Sequence, residues 1–131
     1  MAQGITLADY YMSRDKQFPD ELTDELRSNA ASTVDRVNQL LEAFGEDRKV
    51  NSGWRPAVVN AATPNAAKKS KHMTCQACDL EDKDGRLDQW CLDHPEALER
   101  IGLWQESPAS TVGWAHVQII PPNSGKRVFI P

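Results

Sequence analysis

The sequence predicts an α+β domain in which a small antiparallel sheet packs against N-terminal helices. Two observations carry this. Within residues 19–44, apolar side chains from Val34 to Phe44 recur at three- and four-residue steps, the period of a helix. Beyond residue 48, Pro and Gly cut the chain into short runs that read alternately as strands and helices. The 131 residues suit one domain with one core. The whole of 1–131 is therefore read as a single unit, with a helical scaffold over 1–47 and a region of mixed structure over 48–131.

Residues 6–12 open the chain as a short helix. Thr6 is its N-cap, and Asp9 stands where a capping box keeps its acid. Residues 19–44 read as the longest helix. Pro19 suits a first turn, and Asp20, Glu21, Asp24 and Glu25 complement the positive helix end. Val34, Val37, Leu40, Leu41 and Phe44 make one buried stripe, and Gly45 is a stop signal. Residues 49–54 read as a short strand, 56–62 as a helix begun by Pro56, and 63–71 as a polar loop. A strand is expected over 74–81, an Asp/Gly turn over 82–85 and a helix over 86–93. Pro95 starts a further helix over 95–101, with Asp93 or His94 as cap, and Gly102 ends it. A strand over 113–120 turns at residues 121–125 into a last short strand, 127–130.

Charge and composition exclude several functions. The net charge of −4 argues against nucleic acid as a main partner. Acids outnumber bases only in the first fifty residues. The one basic cluster, Lys68, Lys69 and Lys71, is a solvated loop or a rim that attracts an anionic substrate. No apolar window is long enough for a membrane span, so no stable membrane insertion is expected. The N-terminus lacks the basic start and apolar core of an export signal. Synthesis and initial residence in the cytoplasm are expected, and three cysteines do not suggest a disulfide framework. Oligomeric state is not legible at this level.

The chemistry-bearing residues lie in 48–131. A catalytic zinc site needs three ligands from His, Asp, Glu or Cys and one open position. The metal acidifies water and polarises a carbonyl, and a nearby carboxylate moves the proton. Ser70-Lys71-His72 is followed by Asp79 seven positions after the histidine, and later by Trp114-Ala115-His116. Two adjacent strands would bring these side chains together. Taken alone, His116 on an apolar strand reads first as a hydrogen-bonded core histidine. Arg55 read alone is a surface residue pairing with an acid, and Ser70 a cap or loop hydroxyl. Gln118, two positions beyond His116, shares its strand face and is either a hydrogen-bond partner of that histidine or solvent-facing.

The set as a whole resembles the zinc D-Ala-D-Ala carboxypeptidase and phage endolysin family of peptidoglycan peptidases, part of a larger group with the hedgehog domain. The shared pattern is Ser70, His72, Asp79, Trp114 and His116, with Ser52-Gly53-Trp54-Arg55-Pro56 upstream, over about residues 50–120. The resemblance implies the hedgehog/D-Ala-D-Ala peptidase fold. It implies zinc on His72, Asp79 and His116, a substrate carboxylate or oxyanion held by Arg55, and a substrate backbone bond to Ser70. Trp54 and Trp114 are then candidates to wall the cleft, although core packing is the commoner role of tryptophan. Many members keep a catalytic acid three residues before the last histidine, where this chain has Gly113. Glu106 is the nearest upstream acid and is expected to serve as base.

A rival zinc site is written in Cys75, Cys78, Cys91 and His94, spaced Cys-x2-Cys and Cys-x2-His. It is disfavoured because Asp93-His94-Pro95 has its own explanation as a helix start. In addition, a strand over 75–80 would put Cys75 and Cys78 on opposite faces. The expected function is zinc-dependent hydrolysis of peptidoglycan stem peptides, at D-Ala-D-Ala or L-Ala-D-Glu bonds, by a phage-type enzyme that reaches the wall after release or delivery. The alternative is a non-catalytic cell-wall-binding or phage structural module on the same fold.

Overall fold

The structure, a computed structural model, describes residues 2–131. Helix α1 (Leu7–Tyr11) opens as expected: Thr6 Oγ1 accepts from the Asp9 amide, and the Asp9 carboxylate accepts from the Thr6 amide. Met12 and Ser13, both at positive φ, turn the chain into α2 (Arg14–Gln17), which had no sequence signal. The long helix does not start at residue 19. Residues Pro19–Glu21 form a separate 3₁₀ turn, and α3 runs Asp24–Phe44. The cause is Thr23, whose hydroxyl accepts from the Leu26 amide and so sets the first helical turn later. Such a cap contributes about 1 kcal/mol. Gly45 ends α3 at φ +91.

The α3 stripe buries Ala30, Thr33, Val34, Val37, Leu40 and Leu41, while Phe44 is half-covered. Full burial of each leucine is worth about 1.5–3 kcal/mol, which makes this face the anchor of the core. The remaining elements are β1 (Val50–Ser52), α4 (Ala57–Ala62), β2 (Ala77–Asp82), α5 (Arg86–Asp93), α6 (Pro95–Ile101), β3 (Trp104–Glu106), β4 (Gly113–Gln118) and β5 (Val128–Phe129). His94 rather than Asp93 sits at the N-cap of α6.

The strands form one sheet in the order β1-β2-β4-β3-β5. It is antiparallel, as expected, except at one edge, where β3 and β5 run parallel. The reason is connectivity. The chain leaves β4, reverses through Pro121–Gly125 and pairs beyond β3, so β5 runs in the β3 direction. The three-residue β3 was not expected at all.

Strand alternation places the site. On β2 and β4 the pairs Cys78–Val117 and Leu80–Ala115 face the core. The pair between them, Asp79 and His116, faces the other side. The cysteines are all free and buried. Cys75 precedes β2 at φ +59 rather than lying in it, so Cys75 and Cys78 both enter the core instead of opposite faces. Burial pushes the Cys75 thiol up to about 12 and those of Cys78 and Cys91 well above their usual value. His94 stacks on Trp90 and bonds its carbonyl. These are inert core thiols, and the rival zinc site is not assembled. Trp54 is also a core residue, 1% exposed and edge-on to Tyr11. It does not wall the cleft.

Candidate metal centre and its cleft

His72 reaches the centre from the end of the 63–71 loop. Its backbone is clamped to the segment after β1, because the Arg55 amide donates to His72 O at 3.1 Å. The His72 ring returns the contact: Nδ1 lies 2.9 Å from Gly53 O. A carbonyl only accepts, so Nδ1 carries the proton and Nε2 is left with its lone pair. Gly53 is needed here. A Cβ at this position would lie 1.8 Å from Tyr10 O, so only glycine permits the approach of α1 to this segment.

Asp79 and His116 are direct cross-strand partners. His72 Nε2 lies 3.2 Å from Asp79 Oδ2, and His116 Nδ1 lies 2.8 Å from Asp79 Oδ1. The second nitrogen of His116 is also committed. Nε2 sits 2.9 Å from Gln118 Oε1, and Gln118 Nε2 donates to Ile120 O at 2.8 Å. That second bond orients the amide, so its oxygen faces the histidine and His116 Nε2 carries a proton. One ligand atom from each of His72, Asp79 and His116 falls within 4.8 Å of the others. Among the described residues no other such group of His, Cys, Asp and Glu occurs.

Two nitrogens and a carboxylate oxygen are a donor set that zinc accepts, and the outer nitrogens are already occupied, so the residues present fit a zinc ion. The electrostatics agree. Burial opposes charge on Asp79, but His72 and His116 outweigh it and hold the carboxyl below its usual range. Burial lowers the His72 pKa. Burial also opposes charge on His116, yet its hydrogen bond and attraction to Asp79 raise its pKa.

The group opens into a cleft of about 900 Å³. Arg55, Ser70, Glu106 and Trp114 line it, as do Lys69 and Lys71. Arg55 Nη2 donates to Ser70 Oγ at 3.0 Å, and the same oxygen accepts from the His72 amide at 3.2 Å. Arg55 Nε is buried and has no partner among the described residues. Glu106 ends β3. Since Trp104 pairs with Gln118 and Gln105 with Val117, the register continued one step sets Glu106 opposite His116. Burial pushes its carboxyl pKa up, partly offset by His116. Gly113 pairs with Asp82, three steps along β4 from His116. Three steps of a pleated strand end on the opposite face, so a side chain at 113 would point away from the cleft.

Residues 12–100 match the family described as Peptidase M15. The chain belongs to the peptidase M15 family. The members of this family are zinc-dependent peptidases. The M15 match takes in Arg55, Ser70, His72 and Asp79; Glu106 and His116 lie beyond it and enter through the geometry above. No curated protein and no solved structure matches the chain. Sequence reasoning did not find the Gly53 carbonyl, because a backbone acceptor has no side-chain signature. The close spacing of Gly53 to Arg55 was its only trace.

Proposed function

We propose that the chain hydrolyses peptide bonds in bacterial peptidoglycan stem peptides, as a zinc enzyme of the D-Ala-D-Ala carboxypeptidase or L-Ala-D-Glu endopeptidase type. The observation that carries this reading is the His72–Asp79–His116 group, whose outer nitrogens are fixed by Gly53 O and Gln118 Oε1, opening into a cleft with Arg55 and Glu106. His72 Nε2, an Asp79 oxygen and His116 Nδ1 would hold zinc. When bound, the ion supplies a Lewis acid that makes water nucleophilic near neutral pH.

The protein groups do the rest. Glu106, with its pKa raised by burial, takes a proton from the attacking water and passes it to the amide nitrogen that leaves. Arg55 keeps its charge and presents a planar donor fork that Ser70 holds in place. It receives the substrate carboxylate or the developing oxyanion. Ser70 bonds the substrate backbone, and Trp114 forms an apolar wall. The fold belongs with this reading as one of the hedgehog/D-Ala-D-Ala peptidase type. A chain made in the cytoplasm would reach the wall on release or delivery, as phage enzymes do.

The test is a digest of purified peptidoglycan with zinc-loaded protein, followed by amine release and fragment masses. New amines, a defined mass pair and loss of both in Glu106→Gln are expected. No release across a range of pH would favour a wall-binding module instead.

A further inference from the structure

Behind the sheet, away from the cleft, four buried polar residues form a chain. Asp82 ends β2, and its carboxylate accepts from the amides of Leu87 at 3.0 Å and Asp88 at 2.9 Å. Asp88 in turn accepts from Gln105 Nε2 at Oδ1 and from the Thr111 hydroxyl at Oδ2, both at 2.9 Å. Gln105 Nε2 also reaches Asp88 O at 3.0 Å. Asp82, Asp88, Gln105 and Thr111 are all buried. A carboxylate in such a place is costly unless its oxygens are satisfied. Here both oxygens of Asp82 and both of Asp88 accept a bond, while Gln105 Oε1 has no partner among the described residues, so the two carboxylates are the fixed points of the network.

The position of this network is what matters. Gln105 is the middle residue of β3, and Glu106 follows it on the opposite face, in the cleft. Thr111 lies just before β4, which carries His116. The strand itself is three residues long and is flanked by the two-residue β5, so its own ladder holds it weakly. Asp88 grips the β3–β4 connection near both of its ends.

We propose that Asp88 is a positioning residue for Glu106, fixing through Gln105 and Thr111 the place of the Glu106 carboxyl against His116 and Asp79. This rests on Glu106 being the proton carrier proposed above. A carboxylate displaced by about 1 Å can cost a hundredfold in rate, so the anchor is expected to act on kcat.

The experiment measures kcat, KM and zinc affinity for the full-length zinc-loaded chain on a soluble stem peptide. The variants are Asp88→Ala, Asp88→Asn, Glu106→Gln and the double variant Asp88→Ala/Glu106→Gln. Asp88→Ala is expected to lower kcat by about ten- to a hundredfold, with KM and zinc affinity unchanged. Asparagine keeps an acceptor for Gln105 and can donate to the Thr111 hydroxyl, so Asp88→Asn should recover most of the rate. With Glu106→Gln already present, Asp88→Ala should cost nothing more, because both act on one step. Full kcat in Asp88→Ala, an additive loss in the double variant, or a zinc-affinity loss as large as the rate loss would each overturn the proposal. If Asp88→Ala does not fold, Thr111→Val removes a single strut; a several-fold fall in kcat is expected, and an unchanged kcat overturns the proposal. A fully active Glu106→Gln refutes the base assignment, whereas an inactive Glu106→Gln beside a fully active Asp88→Ala refutes the positioning role alone.

Discussion

Replacing Gln118 by leucine should weaken zinc binding without touching a ligand. Gln118 is 5% exposed, and its Oε1 accepts from His116 Nε2 at 2.9 Å. With leucine there, the neutral imidazole moves its proton to Nδ1, where Asp79 Oδ1 waits at 2.8 Å. Zinc needs that nitrogen bare, so binding forces the proton back to Nε2. That N–H would then face a leucine, and a buried donor without an acceptor costs about 1–3 kcal/mol. At 1.36 kcal/mol per decade, this is a loss of about five- to 150-fold in affinity. Competition against a chromophoric chelator at neutral pH measures it. Gln118→Glu, which keeps the acceptor, should bind zinc at least as tightly as the parent. An unchanged Kd in Gln118→Leu would refute the assigned tautomer, and with it the argument that the site is ready for metal.

Gly53→Ala should destabilise the protein by about 1–3 kcal/mol through overpacking, because the new Cβ meets the backbone oxygen of Tyr10 at 1.8 Å; an unshifted denaturant midpoint would contradict this. Zinc binding at pH 6.5 should release protons, since the raised pKa of His116 favours its protonated form in the metal-free protein. Affinity should therefore fall by about tenfold per pH unit as pH drops below that pKa, and binding heats that do not depend on buffer ionisation would speak against it. Arg55→Lys should raise KM while leaving zinc affinity intact, because a point charge replaces a fork held by Ser70; steady-state kinetics beside a chelator titration separates the two.

The parts of the fold legible in sequence were those with strong local chemistry. Thr6 with Asp9, Gly45, Pro95 and Gly102 mark element ends because each satisfies or removes a backbone group there. The start of α3 was misplaced because Pro19 and the acids after it are good first-turn residues, and only the Thr23 hydroxyl decides between two starts. Strand β3 was invisible because Trp104-Gln105-Glu106 is too short to show a period. At the site, the grouping of His72, Asp79 and His116 was expected only through the family resemblance, because residue type and spacing alone left His116 a core histidine; the fold brings the three ligand atoms within 4.8 Å of one another. The place of Trp54 was not legible, because a tryptophan beside a cleft motif looks the same whether it packs inward or outward. Asp88 was hidden for a related reason: an acid in the first turn of a helix suits the dipole, and nothing local tells that both its oxygens are spoken for by residues 17 and 23 positions away.

One contact recasts the expected division into scaffold and working half. The Tyr10 carbonyl accepts from the Trp54 amide at 3.3 Å, and its hydroxyl donates to Ala77 O at 2.8 Å. A single residue of α1 thus spans, with its backbone carbonyl and its side-chain hydroxyl, the segment that orients His72 and the strand that carries Asp79. It works as a gauge block, setting the separation of two ligand supports that local chain geometry does not set. A fragment cut at residue 48 would keep every proposed zinc ligand and lose that spacer, so the smallest metal-binding unit of this chain has to include its first helix.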